Sequence, residues 1–264
     1  MPPGDPARQE ITEISSPFAE VVGQSGRHYL IKQVLYFADH LLSFAQKELP
    51  IRLTKRILKD SLRGLAALHD QNIVHTDVKA NNILVDWENR PLDIAIKEVQ
   101  LADIEDAAYV DPNSDIVGIQ IGNLMWRSPE AHTQGRVNKP SDTFSFGIVC
   151  IYAVTKQVIF SIEGEDLGEG EEPLAVVLER QISYFADEEG LNGLLRHLGD
   201  SPWCQVLETL RDGFNKTNPR KPVSLWKGID KDFRDLVTGL TKFDPSKRLT
   251  AKEALQHPWF GDVE

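Results

Sequence analysis

His75-Thr76-Asp77-Val78-Lys79-Ala80-Asn81-Asn82-Ile83-Leu84 is the stretch on which the reading of this chain turns. It places a His, an Asp, a Lys and an Asn within eight residues, then runs into Val85 as an apolar, strand-like end. An Asp, a Lys two residues on and an Asn five residues on can converge on one phosphate group and its metal ion. In that arrangement the Asp accepts a hydroxyl proton, the Lys neutralises a moving phosphoryl group, and the Asn supplies an oxygen to a divalent cation.

The flanking sequence supplies a frame for such a loop. Upstream, Thr54 opens a helical pattern in which Ile57, Leu58, Leu62, Leu65 and Leu68 recur up to His69. Downstream, Ile83 to Asp86 reads as a short strand, Trp87 to Asp93 as a polar connection and Ala95 to Ala102 as a second strand. Asp103 to Ser128 has no clear period, as expected of a long functional loop. Pro129-Glu130-Ala131 opens a short helical turn. Ser141-Asp142 opens a helix to about Thr155 that is apolar nearly all round, the mark of a central core element. Amphipathic stretches follow near 174–186, 189–198 and 202–214, and closing helices from Asp230 to Leu240 and Ala251 to Gln256. At the front, Phe18 to Val22 and Tyr29 to Phe37 read as strands around a Gly23-Gln24-Ser25-Gly26 turn, with Leu41 to Ala45 beginning a helix. Residues 1–17, with four prolines, read as a disordered tail. Few strands in front and many helices behind predict an α+β domain dominated by its helical half.

Composition narrows the function classes. The 264 residues suffice for a sizeable core, and 41% hydrophobic with 26% charged residues is ordinary for a globular chain. A net charge of −11 argues against nucleic acid and against anionic membranes as partners. Part of that charge sits in Glu163 to Glu172, six acids and three glycines that read as a solvated loop. Cys150 and Cys204 are the only cysteines, so no disulfide framework is expected and a reducing compartment suits the chain. The opening MPPGDPARQE lacks the apolar region of a secretory signal, and Phe144 to Val154 is too short to span a bilayer. The expectation is an intracellular protein of cytoplasm or nucleus.

Taken together, the motifs resemble those of the eukaryotic protein kinase family. His75 to Asn82 is similar to the catalytic loop H-R-D-L-x-x-x-N, with Thr76 where the Arg usually stands. Leu101-Ala102-Asp103-Ile104-Glu105 occupies the place of the Asp-Phe-Gly segment, 103 − 82 = 21 residues after Asn82, with Trp87 to Asp93 as the apparent insertion. Gly122-Asn123-Leu124-Met125-Trp126-Arg127-Ser128-Pro129-Glu130 resembles the end of a kinase activation segment. Its Trp-Arg-Ser-Pro-Glu form is closest to the cyclin-dependent, mitogen-activated and splicing-factor branch, and Lys79 resembles the serine/threonine type. Arg248 in Asp244-Pro245-Ser246-Lys247-Arg248, Asp142 and Gly147 in Ser141 to Gly147, and His257-Pro258-Trp259-Phe260 match further family positions.

The resemblance implies a protein-kinase-like fold, mostly the helical C-terminal lobe with a remnant of the N-terminal β-lobe. It implies a domain over 18–264, with partial N-lobe strands and hinge at 18–40 and the C-lobe at 41–264. It implies transfer of the ATP γ-phosphate to Ser or Thr of a protein substrate. In that scheme Asp77 and Lys79 are catalytic, Lys79, Asn82 and Asp103 bind ATP, and Asn82 and Asp103 hold Mg²⁺. Glu130 and Arg248 are expected to form an ion pair, and Asp142 to hydrogen-bond the catalytic-loop backbone. Ile104 is expected to fill the apolar slot of the usual Phe, while Glu105 replaces a flexible glycine and adds charge beside the metal site. Thr76 cannot pair with a phosphorylated activation segment as an Arg does. Nothing in the chain resembles the Gly-rich loop G-x-G-x-x-G, and Lys32 is the one lysine before the hinge near Tyr36 to His40. These departures carry the alternative reading, a pseudokinase that acts as a binding or scaffold protein.

Overall fold

The computed structural model describes residues 19–22, 28–31, 38–90, 93–118, 120–162, 164, 167–168, 170 and 172–264. Two units divide at Phe37/Ala38. In the first, β1 (Ala19–Val22) pairs antiparallel with β2 (His28–Ile31) in the register Ala19↔Ile31 to Val22↔His28. The tail at 1–17, the turn at 23–26, Lys32 and the hinge residues Tyr36 and Phe37 lie outside the described residues.

The second unit begins with β3 (Ala38–His40), which leads directly into the single-turn α1 (Leu41–Phe44). Next comes α2 (Ile51–Asp70), entered through Pro50, whose missing N–H costs nothing at a helix start. Its apolar stripe, Ile57, Leu58, Leu62 and Leu65, is fully buried. Asn72, in the left-handed region at φ 56°, turns the chain into β4 (Ile73–Val74). The quoted decapeptide follows, its Ala80–Asn82 a 3-10 turn, and runs into β5 (Ile83–Asn89). An antiparallel sheet is built in the order β3-β5-β6, with β6 at Ile94–Leu101, and β4 pairs with β7 (Ala108–Tyr109).

The polar connection expected at Trp87 to Asp93 is corrected by the structure. Trp87 to Asn89 continue β5 past a bulge at Asp86/Trp87 and pair with Ile96, Ala95 and Ile94. The turn closes only at Arg90, whose N–H donates to the Asp93 carbonyl at 2.8 Å. Trp87 makes a strand of this polar-looking run because its ring packs 5.3 Å from Phe44 and its indole N–H donates to Asp39 at 3.0 Å. The added length between Asn82 and Asp103 is therefore a longer hairpin.

The helical part is centred on α4 (Lys139–Thr155), in which every residue from Ser141 to Ala153 is buried. Before it stands the short α3 (Pro129–His132), capped by Ser128. Gly147 lets the end of a later helix close in: a Cβ there would lie 2.6 Å from Thr241 Cγ2. After α4 come α5 (Pro173–Phe185), α6 (Glu188–Leu198) and α7 (Trp203–Asp212), which bury a second cluster around Leu178, Ile182, Leu191, Leu194 and Leu207. The chain closes with α8 (Lys231–Leu240) and α9 (Ala251–Leu255), near the boundaries that hydrophobic periodicity predicts. Among the described residues no helix is long and apolar enough to cross a membrane.

Candidate active site

The decapeptide is held from below by the first turn of α4. Asp142 is buried and accepts the N–H of His75 through Oδ2 at 2.8 Å and the N–H of Thr76 through Oδ1 at 2.9 Å. The His69 Nε2–H donates to the same Oδ2 at 2.9 Å, so one carboxylate ties the end of α2, the loop and α4 together. His75 itself is fully buried; its Nε2–H donates to the Ala102 carbonyl at 2.9 Å and its Nδ1 accepts from the Asp77 N–H at 3.3 Å. Thr76 is left-handed at φ 71°, a conformation that costs a β-branched residue strain and that the Asp142 contacts over-determine.

On this base the structure brings Asp77, Lys79 and Asn82 together. Lys79 Nζ donates to Asp77 Oδ2 at 2.5 Å. Asn82 Nδ2 donates to the Asp77 carbonyl at 2.9 Å and to Oδ2 at 3.2 Å. Both donors converge on one oxygen, and Asp77 Oδ1 is buried with no hydrogen-bond partner among the described residues. Asn82 is fixed in turn by its carbonyl, which accepts the Ala102 N–H at 2.7 Å, and by the preceding carbonyl of Asn81, which accepts from His40 Nδ1 at 2.5 Å.

Asp103 follows Ala102 and stands exposed at the end of β6, left-handed at φ 60°. The Ala102–Asn82 hydrogen bond thus places Asp103 one residue from the residue locked to Asn82. Ile104 does not fill the buried slot expected for it: it is 40% exposed. One residue beyond Leu101, β6 has ended and the chain enters a turn at Glu105 and Asp106, which offers no apolar layer to receive an Ile.

The segment from Asp103 to Glu130 docks on the loop through neutral contacts. Thr76 Oγ1 donates to the Asp106 carbonyl at 3.1 Å, and β7 pairs with β4. Asn138 Nδ2 donates to the Ser114 carbonyl at 2.8 Å, and Ile116 bridges to Val137. Gly122, at φ 79°, lies so close that a Cβ would sit 2.6 Å from the Thr76 carbonyl and 3.8 Å from Asp77 Oδ1. Arg127 Nη2 donates to the Gly122 carbonyl at 2.6 Å. Burial pulls the Arg127 pKa below its ordinary value, against the opposing pull of the Asp77 carboxylate. The segment ends at Glu130, which forms a bidentate pair with Arg248 at 2.6 and 2.7 Å, both side chains being fully buried. Burial alone would raise the Glu130 pKa, but Arg248 and the hydrogen bonds hold it below the usual carboxylate value.

Asn82 and Asp103 offer oxygen donors of the kind that a hard divalent cation takes. Asn82 spends its amide hydrogens on Asp77, so its Oδ1 is the atom it has left to offer a cation, and Asp103 adds an exposed carboxylate. Among the described residues no group of three or more His, Cys, Asp or Glu is placed to hold a metal.

The same residues are matched by a family model described as "Protein kinase domain", over residues 17–260. The chain belongs to the protein kinase domain family. It is 29% identical over 253 residues to the cell division control protein 2 homolog 3 of Trypanosoma brucei brucei, covering 92% of this chain and 72% of that protein. It is 27% identical over 203 residues to a calcium and calcium/calmodulin-dependent serine/threonine-protein kinase of Lotus japonicus, covering 77% of this chain but 30% of that one. Among solved structures, the yeast RNA Pol II CTD kinase CTDK-1 complex superposes with a TM-score of 0.70 at 20% identity, over 93% of this chain and 75% of that one. The protein-kinase fold is thereby shared.

Within this kinase domain several residues matter that sequence reasoning missed. Gly122, Arg127 and Ser128 all lie in the quoted segment, but nothing in the letters signals a left-handed glycine against the Thr76 carbonyl. His69 was legible only as a helix end, and His40 only as the end of the hinge stretch.

Proposed function

We propose that this kinase domain transfers the γ-phosphate of ATP to a serine or threonine hydroxyl of a protein substrate. The observation that carries the reading is the Asp77 carboxylate, with Oδ2 taken by Lys79 and Asn82 and Oδ1 without a hydrogen-bond partner among the described residues. A carboxylate oriented through one oxygen, with no donor among the described residues on the other, keeps a lone pair free for a single proton. The Asp77 carboxylate takes the proton of the incoming hydroxyl as the hydroxyl oxygen bonds to the γ-phosphorus and the γ-phosphorus bond to the β-phosphate oxygen breaks, with ADP as the leaving group. Lys79 Nζ, 2.5 Å from Oδ2, offsets the negative charge of the transferred group while keeping Asp77 oriented. Asn82 and Asp103 would hold Mg²⁺, which would supply charge neutralisation on the phosphates. Gly122 and Arg127 pin the segment beside the base, and Asp142 fixes the loop from beneath.

A second reading, a pseudokinase that binds without transferring phosphate, is favoured by the lack of a Gly-rich loop motif and by Glu105 in place of glycine. The two separate on nucleotide binding followed by turnover. Mg-ATP at 100-fold above its dissociation constant stabilises a folded protein by about 2.7 kcal/mol, readily seen as a thermal shift. The kinase reading expects that shift, with Asp77→Asn abolishing phosphoryl transfer while keeping the shift. Absence of any shift at millimolar Mg-ATP counts against transfer by this chain, and unchanged transfer in Asp77→Asn removes Asp77 as the base.

A further inference from the structure

We propose that the arginine stripe on α2 is a docking groove for an acidic, extended peptide segment of a partner protein. In a chain of net charge −11, the stretch from Arg52 to Arg63 holds five basic residues, Arg52, Lys55, Arg56, Lys59 and Arg63, against the single acid Asp60. Arg52, Arg56 and Arg63 stand at i, i+4 and i+11 and therefore share one face of the helix. With Leu53, Asp60, Val263 and Glu264 they line a groove of about 450 Å³.

The charges in this groove are unevenly matched. Arg56 and Arg63 are 48% and 50% exposed and share one carboxylate, that of Asp60, at 3.5 and 2.5 Å. Lys55 is taken by Asp262 at 2.8 Å, and Lys59 donates to the carbonyls of Phe260, at 3.3 Å, and Val263. Among the residues that line the groove, Asp60 and Glu264 stand against three arginines, 3 − 2 = 1 positive charge in surplus. Residues 262 and 263 meet the edge of this face, Asp262 at Lys55 and the Val263 carbonyl at Lys59. The stripe also begins where cations are disfavoured. The first turn of α2 has no acid and no side-chain cap, and Arg52 sits at the positive end of the helix dipole. An anionic partner relieves both that conflict and the repulsion between like charges on one face.

The spacing sets the length of the occupant. Eleven residues of helix rise about 16 Å, a distance that an extended strand covers in about five residues at about 3.3 Å each. The occupant is thus a segment of about five or six residues whose carboxylates meet the three guanidinium groups in paired hydrogen bonds. Leu53 and Val263 give the groove an apolar floor for a side chain between those acids.

The test is fluorescence anisotropy of a labelled Glu-Glu-Leu-Glu-Glu-Leu peptide titrated with the full chain at low salt. Saturable binding is expected, weakening roughly tenfold or more in the Arg52→Gln, Arg56→Gln, Arg63→Gln triple variant and falling with added salt. Circular dichroism confirms that the variant, altered only at exposed positions, keeps its fold. Asp77→Asn is expected to bind the peptide as the parent does, so the result is independent of the catalytic assignment. The proposal is overturned by an absence of saturation or by equal binding to the triple variant. It is equally overturned if the triple variant abolishes self-association in place of peptide binding, or if phosphatidylserine vesicles bind and the peptide does not.

Discussion

Replacing His132 by Leu is expected to flatten the acid side of this domain's stability curve. His132 is fully buried in α3, and neither ring nitrogen has a hydrogen-bond partner among the described residues. Burial, then the nearby Arg127 charge, push its pKa down to about 3, against the weaker opposing pull of Glu130. In the unfolded chain the same imidazole titrates near 6.5. As pH falls below 6.5 the unfolded chain takes up a proton that the folded chain refuses until about pH 3, so stability present above 6.5 is lost progressively on acidification. Between pH 7 and pH 5 the difference amounts to roughly 1.4 pK units, or about 2 kcal/mol. Leu removes this loss. It also removes an N–H that is buried without an acceptor, a group that costs about 1–3 kcal/mol, so the variant at pH 7 is expected to be no less stable than the parent. Urea unfolding followed by tryptophan fluorescence at pH 5, 6 and 7 measures both effects. If the difference between the two proteins stays constant within about 0.5 kcal/mol across that range, His132 is not held neutral and the reasoning fails.

Breaking the buried Glu130–Arg248 pair at one end, by Arg248→Ala, is expected to cost about 3–5 kcal/mol, because Glu130 is left charged without its partner. Because Arg248 holds the Glu130 pKa below its ordinary value, this pair stabilises above the usual carboxylate range and its contribution is lost as pH falls below that range. Glu130→Gln should therefore lose that part of the acid transition, and an unchanged acid limb would exclude the ionised pair. Any phosphotransfer activity is expected not to depend on phosphorylation at Tyr109 or Ser114, since Thr76 anchors the segment through a neutral hydrogen bond to Asp106. Tyr109→Phe with Ser114→Ala should keep the parental rate; a large gain on phosphorylation that this variant abolishes would refute the prediction.

The helical part of the fold was legible because its signals are redundant. α4 announces itself by continuous apolarity, α2 by its stripe, and the Asp77, Lys79 and Asn82 spacing by the chemistry it serves. The reading failed where tertiary contacts override local composition. Trp87 and its neighbours look like a loop because Glu88, Asn89 and Arg90 are polar, yet the Trp ring has Phe44 to pack against and a strand results. Ile104 looks like a core residue, and the chain around it turns outward. Gly122 could be read only as one glycine among eighteen, since the carbonyl it must clear belongs to Thr76, far away in sequence.

The contacts of α4's first turn separate two questions that the motif alone runs together. Pro140, Ser141 and Asp142 hold both halves of the site. The Pro140 carbonyl accepts from Arg248 at 3.0 Å, the Ser141 hydroxyl donates to Glu130 at 2.9 Å, and Asp142 takes the two N–H groups of the loop. Catalytic loop and segment end are therefore set by one turn, and that turn is anchored in thirteen consecutive buried residues, Ser141 to Ala153. None of these contacts involves Lys79, Asn82 or Asp103. A scaffold assembled this way keeps the loop in its geometry whether or not nucleotide binds, so scaffold integrity is compatible with either an enzyme or a binding protein. What distinguishes them is the polar cluster itself. A packed scaffold has no need for Asp77 Oδ2 to be clasped by two donors while Oδ1 is buried with none among the described residues, an arrangement that costs stability. A destabilising feature kept at the focus of the site marks a functional group and not a packing one, and turnover by the parent against Asp77→Asn decides whether that function is transfer or binding.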